Sequence, residues 1–157
     1  MSNLVKDSKV WIYQSDRIFS EDELDSLNQK LASFVKDWSS HNNQLYADFK
    51  ILYNRFIILI VDENHFGASG CSIDKSIHFL QLIEKEHNIN LFNRLLVHYF
   101  DSENQLFTIS VIDFQKLIQE GKVNADTKVI NTTVQNLEAL EQDFVLSATN
   151  TWLKRYF

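Results

Sequence analysis

The stretch Leu45-Tyr-Ala-Asp-Phe-Lys-Ile-Leu-Tyr-Asn-Arg-Phe-Ile-Ile-Leu-Ile-Val61 changes its hydrophobic pattern midway, and that change decides the fold. Leu45, Ala47, Phe49, Ile51 and Tyr53 alternate with mostly polar neighbours, so Gln44 to Tyr53 reads as a half-buried strand. Asn54 and Arg55 supply a tight turn. Phe56 to Val61 then runs without polar alternation, the pattern of a central strand covered on both faces.

Toward the amino terminus, Val10 to Gln14 reads as a short strand with Trp11 and Tyr13 on one face. Ser20-Glu-Asp-Glu23 is a capping box, with acidic residues at the positive end of a helix. Leu24, Leu27, Leu31, Phe34, Val35 and Trp38 form that helix's buried stripe. It ends near Ser39 to Asn43, with His41 as a cationic cap. Toward the carboxyl terminus, Asp62 to Cys71 is a loop, and Ser72 to about Glu86 a helix with Ile73, Ile77, Leu80 and Ile83 inward. Leu95–Phe100 and Leu106–Val111 flank the turn Asp101 to Asn104 as a hairpin. Ser110 caps a short helix that Gly121 stops. A short strand at Lys128 to Ile130, a helix from Val134 to Glu141 and a turn bearing Trp152 complete the chain. The order β-α-β-β-α-β-β-α-β-α predicts an α+β fold. One mixed sheet of five or six strands, with helices packed on it, would form a single domain over residues 1–157.

The composition bounds the function. At 157 residues and 45% hydrophobic, the chain has material for a core without a metal or disulfide. The net charge of -6 and the absence of any Lys/Arg cluster disfavour nucleic acid as a partner. No apolar run approaches the ~20 residues of a membrane helix, so no membrane insertion is expected. Cys71 is the single cysteine, so there is no intramolecular disulfide and no cysteine-rich zinc site. With a polar Met1 to Lys9, this points to the cytoplasm. No cofactor is expected.

There is no proline, and two of the three glycines, Gly67 and Gly70, fall within four residues of each other. They suggest unusual backbone geometry or a close approach to the backbone. If Phe56–Val61 and Leu95–Phe100 form a right-handed parallel pair, ligands would be expected beyond their carboxyl ends, near Asp62, Glu63, the Gly67–Ser72 loop and the Asp101–Glu103 turn. Free amides at the start of the Ser72 helix, with the hydroxyls of Ser69 and Ser72, favour a small anion. The plainer reading makes Ser72 an N-cap, with Asp74 complementing the helix dipole. Cys71 is either a buried apolar residue or a nucleophile with His65 as its base. Asp62 and Glu63 are weak metal candidates, since adjacent strand residues point to opposite faces. A P-loop is excluded, because Asp74 stands where the glycine before Lys75 is required and Ser69 where the first glycine is.

The segment Val61-Asp-Glu, followed by Ser69-Gly-Cys-Ser-Ile-Asp74, resembles a family of short soluble bacterial proteins of uncharacterised function. Trp11-x-Tyr13, Trp38-x-x-His41, Asn131 and Trp152 carry the likeness further along the chain. The family often bears the label "ABC transporter ATPase". The likeness spans nearly the whole chain, and Ser69 to Asp74 is its most specific part. A glycine usually follows the His41 position in that family, and here Asn42 stands there. The resemblance implies no activity, and no true Walker motif accompanies it.

Three readings follow. The preferred one is a non-enzymatic binding or accessory domain that takes a small anionic ligand at Ser69, Gly70, Cys71, Ser72 and Asp74. The second is a cysteine-dependent enzyme using Cys71 with His65. The third is a structural or partner-binding protein that forms a homodimer through exposed aromatics.

Overall fold

Tyr53 and Asn54 both adopt positive φ, at 52° and 54°, and the Arg55 amide closes the turn onto the Leu52 carbonyl at 3.1 Å. The turn therefore falls one residue earlier than expected, and Arg55 is folded inward and buried. The computed structural model describes residues 4–157, so the first three residues of the polar Met1–Lys9 stretch lie outside it. The elements in chain order are β1 (Lys9–Gln14), α1 (Glu21–Asp37), β2 (Ser39–Ser40), β3 (Asn43–Gln44), β4 (Tyr46–Leu52), β5 (Phe56–Asp62) and α2 (Gly70–His87). There follow β6 (Leu96–Phe100), β7 (Leu106–Ser110), α3 (Val111–Gln119), β8 (Lys128–Ile130), α4 (Leu137–Asp143) and β9 (Val145–Ser147), then two 3-10 turns that include Trp152.

The fold is α+β, with helices packed on sheets. The single mixed sheet is not what forms. The strands fall into a three-stranded sheet β1-β5-β4, a small β2-β3 hairpin and a four-stranded sheet β7-β6-β8-β9. Every one of these pairings is antiparallel. β5 and β6 therefore belong to different sheets, and the expected parallel pair does not exist. The reason is physical: an unbroken apolar run reports burial on both faces, not strand direction. Phe56 to Val61 are all fully buried, and β5 runs antiparallel to both neighbours.

The chain divides into two compact units, one running up to Phe92 together with Gln135–Glu138, the other Asn93–Val134 with Ala139–Phe157. In the first, α1 and α2 pack over β1-β5-β4. Leu27, Leu31, Val35 and Trp38 of the α1 region meet Leu80 and Ile83 of α2 and Ile57, Leu59 and Val61 of β5. Burying one such side chain contributes roughly 1.5–3 kcal/mol. In the second unit, Val97, Phe114, Val123, Val129, Ala148 and Leu153 form the core.

Local chemistry sets the ends. The Ser20 hydroxyl accepts from the Glu23 amide at 3.2 Å while Glu23 accepts from the Ser20 amide at 2.9 Å, the expected capping box. Arg17 donates to both Glu23 oxygens at 2.8 Å. The Arg17 hydrogen bonds, then the Ser20 amide, lower the Glu23 pKa to about 2. His41 is not a helix cap. With Asn42 it forms the two-residue β2-β3 turn, at φ 49° and 65°, where asparagine is among the residues that tolerate the left-handed region. Gly121, at φ 71°, ends α3 as expected.

Candidate functional site

β5 delivers Asp62 to the loop that leads to α2, and the loop's own polar groups consume much of its chemistry. Asp62 is buried, and its Oδ1 accepts from the Asn64 amide at 3.0 Å and from the Asn64 side chain at 2.9 Å. His65 stacks on Tyr46 with ring centroids 4.0 Å apart, and its Nε2 lies 3.9 Å from Asp62 Oδ2. Glu63 Oε2 accepts from the Ala68 amide at 2.7 Å. A Cβ on Gly67 would sit 3.3 Å from that same carboxylate oxygen, so glycine here admits a close approach by Glu63. Gly70 has open space around it. The signal of the two glycines thus splits into one tight contact and one open position.

α2 begins at Gly70, two residues before the sequence suggested, and Ser69 rather than Ser72 is its N-cap. Ser69 Oγ accepts from the Ser72 amide at 3.1 Å, and the Ser72 hydroxyl donates back to the Ser69 carbonyl at 2.8 Å. Ser72 is fully buried, so its hydroxyl is spent inside the protein. The earlier start also leaves Asp74 beyond the first turn, which holds no acidic residue. Gly70 and Cys71 are exposed at the first two helical positions, where amides have no carbonyl one turn back. Among the described residues, no hydrogen bond or ion pair joins His65 to Cys71, and no group of three His, Cys, Asp or Glu residues could hold a metal ion. Asp62 and Glu63 each spend a carboxylate oxygen on a backbone amide instead.

Between α1 and α2 lies a pocket of about 420 Å³, lined by Lys30, Ser33, Phe34, Asp37, Trp38, Lys75 and Phe79. Phe34 and Phe79 stack with centroids 4.4 Å apart, and Phe34 meets Trp38 at 5.2 Å. Trp38 is buried, and its indole N–H donates to the Ser72 carbonyl at 2.8 Å, which fastens the end of α1 to the first turn of α2. Lys30 pairs with Glu86, whereas Lys75 has no ion-pair partner among the described residues. Cys71, Lys75 and Phe79 follow at four-residue spacing, so they share one face of α2. Lys75 thus lines the pocket and stands one turn along the same helix face from the exposed Cys71.

Sequence reasoning missed this pocket. In the sequence Phe34 and Trp38 read as core, and Lys75 bears only on a P-loop pattern that Asp74 excludes. The available signal was Lys75 and Phe79, one turn apart, on the face that carries Cys71. Comparison with models of known protein families, with curated proteins and with solved structures finds no match to this chain. No helix among the described residues is long and apolar enough to cross a membrane.

Proposed function

We propose that the first unit is a non-enzymatic binding domain for a small amphipathic anion. The apolar body of the ligand lies between α1 and α2, against Phe34, Trp38 and Phe79. Its charge meets Lys75 and the amides of Gly70 and Cys71. The observation that carries this reading is the aromatic-floored pocket, with an unpaired ammonium at its rim, one turn from a helix start that lacks its own carboxylate. The volume lies within the usual range for small-molecule sites, roughly 300–1,000 Å³. A cytoplasmic setting, as the single cysteine suggests, goes with this reading.

Calorimetric melting with decanoate and with inorganic phosphate tests it. Decanoate offers both a tail and a carboxylate, phosphate the charge alone. Ligand at a hundredfold excess over Kd stabilises by about 2.7 kcal/mol, so decanoate should raise Tm by several degrees. Phe34→Ala and Lys75→Glu should each weaken that rise. A chain whose Tm responds to neither probe does not have the proposed site.

A further inference from the structure

We propose that the first unit pairs with a second copy of this chain along β4, joining two three-stranded sheets into one of six strands. The two edges of the β1-β5-β4 sheet are treated differently. The β1 edge is covered at its start: the Val10 amide donates to the Gln135 carbonyl at 3.0 Å, and Lys9 bridges Asn136. Among the described residues, β4 pairs with β5 alone. An open edge of this length is a template for another strand.

The direction of its backbone is set. The Phe49 amide donates to the Asp48 carboxylate at 2.8 Å, so it points away from β5. By the alternation of an antiparallel ladder, the outward groups belong to Ala47, Phe49 and Ile51. The register follows from charge. When Phe49 faces Phe49 of the second copy, Asp48 stands directly opposite Lys50, and Lys50 opposite Asp48, on one face of the joined sheet. Sliding by two residues one way sets Asp48 against Asp48, and the other way Lys50 against Lys50. Sliding by one turns the outward backbone groups away. One register alone therefore makes the strand self-complementary, and it is two-fold symmetric, as a closed dimer requires. On pairing, the Phe49 amide passes from the Asp48 carboxylate to the Phe49 carbonyl of the second copy, and Asp48 turns to Lys50. Tyr46, exposed at the strand's start, then faces Leu52.

Sedimentation of the full chain over a concentration series tests this, with Asp48→Lys, Lys50→Asp and the double exchange. The wild type should reach twice the 18.4 kDa chain mass. Each single reversal sets like charges opposite one another and should leave a monomer with an unchanged circular dichroism spectrum. The double exchange restores opposite pairs and should restore the dimer. A wild type that stays monomeric overturns the proposal, including where the natural occupant of the edge is a strand of some other protein. A dimer indifferent to the single reversals, or one that the double exchange fails to recover, overturns it as well. None of these outcomes depends on a ligand in the α1–α2 pocket.

Discussion

The starts of α1 and α2 are built from the same device and left in opposite conditions. Both have a serine N-cap that accepts from the amide three residues on. The first turn of α1 carries Glu21, Asp22 and Glu23, and Glu23 is gripped by Arg17 and by the Ser20 amide. Its positive end is neutralised from within. The first turn of α2 carries no acid, its nearby carboxylate Glu63 is tied to Ala68, and Lys75 adds positive charge one turn up. An internal carboxylate at a helix start contributes stability, and its absence leaves that favourable position for an anion from outside. The difference is between a helix end used for folding and one available for binding.

The strongest way to break the comparison is to remove the residue that ties the two helices together. Trp38→Ala should cost about 3–5 kcal/mol in chemical unfolding, since it empties a buried site and frees the Ser72 carbonyl. Glu23→Gln comes next. It keeps the shape and removes the charge, and should cost about 1–2 kcal/mol near neutrality, because charge-assisted bonds to a half-exposed Arg17 are lost. The pH sign follows from the lowered pKa. The Glu23 contribution is full above its ordinary value of 4.5 and fades as pH falls toward about 2. Stability curves of wild type and Glu23→Gln should therefore converge across that acid window, and curves that stay parallel would contradict the pairing. Ser69→Ala should cost about 1 kcal/mol, the ordinary worth of such a cap. The smallest effect is the most telling. Gly70→Asp places a carboxylate in open space at the start of α2 and so imitates α1. It should stabilise by about 0.5 kcal/mol and weaken decanoate binding.

What was legible in the sequence was local. The capping box of Ser20 and Glu23, the Ser110 cap, the Gly121 stop and the short strand Lys128–Ile130 all depend on neighbours a few residues apart, and all are present. The start of α2 was misplaced because Ser69 and Ser72 are both good caps, and only the backbone decides which one accepts from an amide three residues on. Strand direction was not legible, because the apolar run of β5 is the same whether its neighbours are parallel or antiparallel. The pocket was not legible because Phe34 and Phe79 lie far apart along the chain and meet only when α1 and α2 pack. By sequence Cys71 is either a buried apolar residue or a reactive thiol. It is exposed, so native protein should be alkylated there without unfolding, with mass spectrometry as the readout.

The most direct test of the open helix start is a titration of decanoate followed by amide and indole NMR. Binding as proposed shifts the Gly70 and Cys71 amides together with the Trp38 indole N–H, at one common Kd, and Gly70→Asp raises that Kd. A titration in which Gly70 and Cys71 stay still while the indole moves, or in which none of the three moves, contradicts it.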